Sequence, residues 1–299
     1  MDFLINLVNG LSLGGIYAMI ALGYTMVYGI AKMLNFAHGD IIMVGGYTIY
    51  VFLLLPWSTS LPWWVSPLVA ILGSVIFCMI MGIVIEKVAY KPLRGASPLA
   101  VLITAIGISY LLQSIAQMVF VSSPKFVNIA NLGTIKLFGS VTIGYSTVIT
   151  LVCSVIVMAA LTLFVKFSKT GRAMIAVSED RGAAQLMGIN VNNIIMITFA
   201  IGSGLAALAS LFFLLKAPTI MPTLGALPGI KAFTAAVIGG IGSIPGAMVG
   251  GILLGVIECF AQSVPEIAPY TDAIEFSILI IILLVKPTGL LGKKRREKV

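Results

Sequence analysis

The strongest constraint on this chain is a long stretch without any charged side chain. Residues 41–85 contain no Asp, Glu, Lys or Arg, and charged residues make up only 9% of the sequence against 60% hydrophobic residues. Soluble domains carry roughly 25% charged residues, and the mean hydropathy here is +1.12. Since a bilayer core requires about 20 apolar residues per helical span, the chain can supply roughly eight spans. The sequence predicts an all-α, polytopic transmembrane helical bundle, with residues 1–299 forming one domain.

Several apolar segments are long enough to be spans. The first is too long for the apolar region of a signal peptide and follows Asp2 rather than basic residues, so we interpret it as a retained span. The seventh, 232–260, is interrupted by glycine and proline between 239 and 246, which disfavour a continuous helix. It is predicted to be divided, as a re-entrant or twice-crossing segment; a single kinked span is the alternative. The segments are 3–30, 36–55, 64–85, 98–121, 139–165, 194–215, 232–260 and 273–291.

The basic residues between the spans indicate an orientation, because Lys and Arg accumulate in cytoplasmic loops. The net charge of +8 is therefore interpreted as a topology signal and not as a nucleic-acid surface. With the basic tail at 292–299 in the cytoplasm, the loop around Lys87, Lys91 and Arg94 and the loop at 166–193 fall on the same side, and the N-terminus falls outside. The lysines predicted on the outer side are Lys125, Lys136, Lys216 and Lys231.

Small residues recur at a spacing that favours close helix contact. Glycine pairs four residues apart let helix backbones approach closely in lipid. We therefore expect a compact bundle. The glycines predicted to mediate its helix packing are Gly10, Gly14, Gly246, Gly250, Gly251 and Gly255.

Ionisable residues within the spans are few, and none forms a catalytic or metal-binding constellation. His38 and Asp40 are expected near a membrane edge, where Asn35 and Gly39 favour a helix start satisfied by local hydrogen bonds. A proton relay through His38 and Asp40 is the alternative. Glu258 is expected near the outer surface, in contact with water or lipid headgroups.

A polar stripe runs along the fourth span. Ser109, Gln113 and Gln117 are spaced four residues apart, so they share one helix face. Because such residues are costly in lipid, they are predicted either to hydrogen-bond to other helices or to line an aqueous path. The candidates for a translocation path are Tyr24, Tyr28, Ser109, Gln113, Gln117, Gly242 and Ser243.

The loop at 166–193 interrupts the apolar pattern with a group of charged residues. Ser178 is predicted to cap a short helix, because Glu179 and Asp180 suit the positive end of a first turn. Gly188 is predicted to end that helix, and Asn190 to cap the next span. The helix would lie along the cytoplasmic surface; a passive surface loop is the alternative. Its small apolar face would consist of Ala183, Ala184 and Met187.

Several segments resemble a known family. Residues 182–188 (GAAQLMG) resemble the EAA signature of ABC importer permeases, with Gly182 in place of its glutamate. Four further segments are similar to the permeases of branched-chain amino acid ABC importers, most closely the H-type permease: 9–28, 35–40 (NFAHGD), 184–192 and 239–251 with its GIGSIPG core. Urea and short-amide permeases look much alike.

The resemblance implies an inner-membrane permease subunit of an ATP-driven importer, which moves branched-chain or related amino acids by alternating access. It implies a second related permease, two cytoplasmic ATPase subunits and a periplasmic substrate-binding protein as partners, and no nucleic acid. ATP and Mg would be used by the ATPases, while this chain would bind no cofactor and catalyse no reaction. An ABC permease for urea or short amides and an ion-coupled secondary carrier are the alternatives. The ATPases would dock on the helix at 178–188, through Glu179, Asp180, Arg181, Ala183, Ala184, Met187 and Gly188.

Overall fold

The computed structural model describes residues 2–60, 62, 64–129, 133–137 and 141–292. Within these residues, seven helices are long and apolar enough to cross a membrane, and two shorter apolar helices accompany them. The predicted polytopic all-α architecture is thereby confirmed. The basic tail predicted at 292–299 lies outside the described residues, apart from Gly292. In chain order the elements are α1 (Asp2–Ala31), α2 (His38–Leu54), α3 (Pro56–Ser60), α4 (Val65–Ile85), a π-helical turn (Glu86–Tyr90), α5 (Pro98–Phe120), β1 (Lys125–Phe126), β2 (Thr134–Leu137), β3 (Val141–Gly144), α6 (Tyr145–Phe167), α7 (Lys169–Glu179), α8 (Arg181–Leu186), α9 (Val191–Lys216), β4 (Thr219–Ile220), α10 (Ala226–Gly239), α11 (Ile244–Ser263), a 3₁₀ turn (Ala268–Tyr270) and α12 (Thr271–Val285).

Two long helices, α1 and α9, form the centre of the bundle. α1 packs against α6, α9, α10 and α11, while α9 also packs against α2 and α4. α5, α6 and α12 lie at the periphery and expose much of their apolar surface. This distribution suits a membrane, because peripheral apolar side chains contact lipid instead of water. Two small antiparallel pairs, β1 with β4 and β2 with β3, form outside the helices.

Close backbone contact between α1 and α11 depends on glycine. Gly10 of α1 faces Val256, and Gly14 faces Ile252 in an antiparallel arrangement. A Cβ atom on Gly14 would lie 2.6 Å from the Cα of Ile252, so a larger residue would force the helices apart. Gly251 and Gly255 lie on the same contact. The predicted packing glycines are thus divided between two faces of α11, since Gly246 and Gly250 instead contact Gly239 and Ala235 of α10.

The seventh predicted segment consists of two helices, as expected. α10 ends at Gly239, and α11 begins at Ile244. Gly240 and Gly242 have φ values of 108° and 94°, in the left-handed region that glycine adopts without steric cost. α10 has 14 residues, and a helix of that length spans about 21 Å, less than the roughly 30 Å of a hydrocarbon core. It is therefore a half-helix, and the alternative of one kinked span is wrong.

The described basic loops lie at one end of the bundle, which we call the α1 C-terminal end. Arg181 donates hydrogen bonds to the carbonyl oxygens of Ile30 and Ala31, the last residues of α1. Arg94 donates to the side chain of Asn192, just inside α9. The loop that follows α4 and the loop at 166–193 are therefore neighbours, as the predicted topology requires.

The turn between α10 and α11 and the end of α12 reach the same end of the bundle. Gly242 approaches Gly29 near the end of α1, and the amide of Leu290 donates to the carbonyl of Ile238. Lys231 departs from its predicted position. Its side chain is buried in the bundle, with 6% of its surface exposed, rather than lying with the outer lysines.

Candidate functional site

α2 begins inside the bundle and not at its edge. The linker 32–37 turns inward from the end of α1, so that His38 lies against Gly23 of α1 and Gly202 in the middle of α9. A Cβ atom on Gly23 would lie 2.6 Å from Cε1 of His38. The expectation that His38 and Asp40 lie near a membrane edge is therefore wrong. Hydropathy did not show this, because the linker 32–37, in which Lys32 and Asn35 interrupt apolar residues, resembles an ordinary loop between two spans.

The start of α2 is held both by local backbone hydrogen bonds, in which the amide of His38 donates to the carbonyl of Asn35 and that of Ile41 to the carbonyl of Ala37, and by distant residues. Ala37 occupies the N-cap position and makes no side-chain capping bond. The Asn35 side chain, expected to support the helix start, accepts a 2.9 Å hydrogen bond from the Tyr90 hydroxyl. The His38 ring packs against the Tyr24 ring at a centroid distance of 4.8 Å. Among the described residues, Nε2 of His38 has no hydrogen-bond partner.

Asp40 is a buried acid held by two residues of the polar stripe. It is 2% exposed. Nε2 of Gln113 donates to Oδ1 at 2.9 Å, and the Ser109 hydroxyl donates to Oδ2. Ser109 and Gln113 thus form interhelical hydrogen bonds, whereas Gln117 is exposed on α5. Among the described elements α2 is the main contact of α5, so these hydrogen bonds join a loosely held helix to the core.

The N-terminal ends of α2 and α10 meet beside this acid. Gly39 packs against Gly225 and Gly229, and a Cβ atom on Gly39 would lie 2.6 Å from the carbonyl oxygen of Gly225. The partial positive charge at a helix N-terminus favours a carboxylate in the first turn, which is where Asp40 lies. The Tyr24 hydroxyl also lies against Gly229. The two shorter apolar helices, of 17 and 14 residues, therefore begin at one polar point within the bundle.

The remaining path candidates lie apart from this point. Tyr28 is half-buried, one turn beyond Tyr24 on α1. Gly242 and Ser243 lie at the α1 C-terminal end, where the Ser243 hydroxyl caps α11 by accepting a 3.2 Å hydrogen bond from the amide of Gly246. The structure thus brings together Tyr24, Ser109 and Gln113 around Asp40, but not the others.

A second buried polar group joins α10, α11 and α12. Nζ of Lys231 lies 2.8 Å from Oε1 of Glu258, 2.8 Å from Oδ1 of Asp272 and 3.3 Å from Oε2 of Glu275. The Tyr17 hydroxyl donates a 2.7 Å hydrogen bond to Glu258. Glu258 is buried, so the expectation that it reaches water or headgroups is wrong. We call these five residues the Lys231 cluster.

The sequence did contain a signal for the Lys231 cluster. Ionisable residues within spans are costly and normally pair with one another, so Glu258, inside the segment 232–260, and Lys231, immediately before it, were candidates for such a pair. Which acids surround the lysine could not be predicted, since this depends on how α10 folds back along α11. Asp272 and Glu275 join only because they share one face of α12.

Two helices occupy the loop at 166–193, where one was predicted. α7 runs to Glu179, so Ser178 lies inside it and does not cap the predicted helix. α8 begins at Arg181, and its cap is Asp180, whose Oδ1 accepts a 3.0 Å hydrogen bond from the Ala183 amide. The helix predicted over 178–188 is therefore shorter at its start. Its predicted end is confirmed by a φ of 81° at Gly188, as is the cap of α9 by Asn190.

The apolar face of α8 differs from the predicted one. Ala184 is buried against the bundle, with 4% of its surface exposed, whereas Leu186 and Met187 are 90% and 83% exposed. Ala183 is also exposed. Ala184 is therefore a contact with the bundle rather than part of an outward face. The outward apolar residues are Leu186 and Met187, of which the sequence identified only the second.

An open cleft of about 520 Å³ lies beside α8. Arg94 and Arg181 line it together with Gln185 and Asn192. Arg94 forms an ion pair with Glu86. Burial lowers the pKa of Arg181, and the nearby guanidinium of Arg94 lowers it further. The cleft thus combines residues from two loops that are distant in the sequence.

Comparison with known proteins assigns the chain to a family. The family described as "Branched-chain amino acid transport system / permease component" matches residues 6–283. The chain is 46% identical to the high-affinity branched-chain amino acid transport system permease protein BraD of Pseudomonas aeruginosa, over 99% of this chain and 98% of that protein. It is 41% identical to the corresponding permease LivH of Salmonella typhimurium, again over 99% and 98%. A probable branched-chain amino acid transport permease, LivH of Methanocaldococcus jannaschii, is 29% identical over 92% and 88%. The chain therefore belongs to the family of branched-chain amino acid transport permease components.

Proposed function

We propose that this chain is the permease subunit of an ATP-driven ABC importer, which carries branched-chain or related amino acids across a bacterial inner membrane by alternating access. Family membership and the transport systems named for its relatives support this proposal. A second related permease, two cytoplasmic ATPase subunits and a periplasmic binding protein would complete the importer. ATP and Mg would be used by the ATPases, and this chain would contribute no catalytic residue.

The exposed apolar tip of α8 is the observation that supports docking of an ATPase subunit at this helix. Leu186 and Met187 project from a short helix at the end of the bundle where the basic loops meet. Large apolar side chains this exposed outside the spans favour burial against a protein partner. α8 contacts α7 and α9, and α9 is a central helix. A push on α8 would therefore be transmitted directly to the core.

For the translocation path we propose the polar point around Asp40. Tyr24, Ser109 and Gln113 surround this acid where α2 and α10 begin, and broken helices that converge inside a bundle are typical of transporter substrate sites. The few contacts between α5 and the rest of the bundle would let α5 move and expose the site. In this structure Asp40 is closed off from solvent.

An ion-coupled carrier is the second candidate, because the structure places buried acids inside the bundle. Asp40 and the Lys231 cluster could in principle take up a proton as intramembrane ionisable groups do. The two candidates differ in their energy source. In the importer, uptake requires the ATPases; in the carrier, it requires the proton gradient.

The test is uptake by the complete complex reconstituted in vesicles. Leu186→Asp is expected to lower ATP-driven leucine uptake at least about tenfold, since a charge at an apolar hot spot costs more than 1.4 kcal/mol. Ile175→Asp, a half-exposed position on the neighbouring α7, is the matched control and is expected to retain most uptake. Normal uptake by Leu186→Asp would refute docking through α8. Uptake that persists without the ATPases and stops when the proton gradient is collapsed would refute the importer.

A further inference from the structure

The cleft beside α8 presents two arginines in fixed positions. Arg181 is held by the carbonyl oxygens of Ile30 and Ala31, and Arg94 by Glu86 and the side chain of Asn192. A guanidinium carries five N–H donors in a planar fork, so each arginine retains donors beyond those used for its own placement. Groups held in this way lose little conformational entropy when they bind a ligand.

The local charge of the cleft is incompletely balanced. Glu86 forms an ion pair with Arg94, and the Asp180 carboxylate lies beside Gly182 at the edge of the cleft, where it caps α8. In the part of the chain that the structure describes, no carboxylate lies within ion-pair distance of the Arg181 guanidinium, which instead donates to two backbone carbonyl oxygens. The two like charges also oppose each other, and burial removes part of the solvation of Arg181. An anionic group between the two guanidiniums would offset both their mutual repulsion and the lost solvation of Arg181. Arginine binds carboxylates in a bidentate geometry.

The position of the cleft indicates what that anion belongs to. Gln185 and Gly188, which line the cleft, flank the exposed Leu186 and Met187 in the sequence, so a protein that contacts Leu186 and Met187 lies next to the cleft. We propose that the Arg94–Arg181 cleft receives an acidic side chain of the ATPase subunit, beside an apolar recess that accepts Leu186 and Met187. This inference rests on the proposed function and specifies the chemistry of its docking surface. The permease is the cationic partner in this contact.

The structure offers a pair of variants that change the charge of the cleft without disturbing the fold. Gln185 is exposed and lines the cleft. Gln185→Glu is isosteric and adds a negative charge, while Gln185→Arg adds a positive one. Binding of the purified cognate ATPase subunit to the complete permease pair in nanodiscs is measured at low salt and at about 0.5 M salt.

The expected result is a dissociation constant about tenfold higher for Gln185→Glu than for the unmodified chain, because like charges across an interface repel. Gln185→Arg is expected to bind at least as tightly as the unmodified chain. The difference between the two variants is expected to shrink at high salt. Equal affinities of Gln185→Glu and the unmodified chain, or equal weakening by both variants, would overturn the proposal.

Two further measurements identify the source of any failure. Leu186→Asp tests docking itself, and normal ATPase binding by this variant refutes the proposed docking. If Leu186→Asp loses ATPase binding but Gln185→Glu binds the ATPase as the unmodified chain does, only the cleft assignment is refuted. An anionic lipid headgroup could offer a similar charge. The dissociation constants are therefore measured in nanodiscs of phosphatidylcholine and of phosphatidylglycerol. If the two Gln185 variants differ in ATPase affinity only in phosphatidylglycerol, the cleft binds lipid and the ATPase assignment is wrong.

Discussion

The bundle contains two buried acidic regions that are stabilised in different ways. Asp40 is held by neutral donors, Ser109 and Gln113, on the peripheral helix α5. Glu258 and its neighbours are held by the full positive charge of Lys231, which joins α10 to α11 and α12. Hydrogen bonds between neutral and charged groups are weaker than contacts between two opposite charges in a dry interior. We therefore expect the helices of the first region to separate more readily than those of the second.

This difference matches the position of each region. α10 and α11 form a hairpin in close backbone contact, and the Lys231 cluster fixes α12 to it. α5, in contrast, has α2 as its main contact among the described elements. A transporter requires both a rigid part and a part that changes its contacts. We infer that the hairpin with α12 moves as one unit and that the contact of α5 with α2 is where the bundle changes.

The largest effect is expected from removing the cation of the Lys231 cluster. Lys231→Met leaves two buried carboxylates, Glu258 and Glu275, without their counter-charge. Breaking a buried ion pair by removing one partner costs about 3–5 kcal/mol, so a large drop in the thermal unfolding temperature of the purified protein in detergent is expected. Lys216→Met is the matched control, because Lys216 is an exposed lysine near the same region. Similar unfolding temperatures for the two variants would show that the cluster does not fix these helices.

An intermediate effect, on transport and not on stability, is expected at Asp40. Asp40→Asn preserves the shape of the side chain and a hydrogen-bond acceptor for Gln113, so the free energy of unfolding should change by no more than about 1 kcal/mol. If the carboxylate takes part in the path, ATP-driven uptake should fall about tenfold, equivalent to 1.4 kcal/mol of barrier.

The comparison between the regions supplies the control for this experiment. Asp272→Asn also neutralises one acid, but in the Lys231 cluster, and is expected to leave uptake unchanged. Equal loss of uptake in both variants would mean that the bundle does not divide into a movable and a fixed part. Unchanged uptake by Asp40→Asn would exclude its carboxylate from the path.

The sequence predicted the spans well because hydropathy reports directly on the membrane. The divided segment at 232–260 was also predicted, since glycine and proline act locally on the backbone. The depth of His38 within the bundle was not predictable. His38 lies deep because the linker before it turns inward, and the composition of the linker does not indicate that turn. Lys231 was misplaced for a related reason, since a lysine in an apolar segment next to a loop resembles an interfacial residue until its carboxylate partners are brought together.

The surface helices show the same limit. The end of α8 at Gly188 was predicted correctly, because it depends on a local preference of glycine. The start of α8 was not predicted correctly, because Ser178 and Asp180 are both good caps and only the packing of α7 on the bundle decides between them. The cap lies at Asp180, two residues after the predicted Ser178, and the packing of α8 on the bundle places Ala184 inward and Leu186 outward. The Arg94–Arg181 cleft was beyond prediction, since it joins two loops across the fold.

The smallest effect is expected from neutralising the most buried acid of the Lys231 cluster. Lys231 faces three carboxylates, so one lysine cannot compensate all of them, and like charges held close together oppose ionisation. Glu275→Gln removes part of this repulsion and leaves Lys231 with Glu258 and Asp272; the free energy of unfolding should therefore change by less than about 1 kcal/mol. Glu258→Gln should cost about 2 kcal/mol, because Glu258 also accepts hydrogen bonds from Tyr17 and Gln262. Thermal unfolding of both variants measures the contrast. Equal losses would mean that the cluster has no surplus negative charge, and its rigidity would then depend on every acid and not on Lys231 and Glu258 alone.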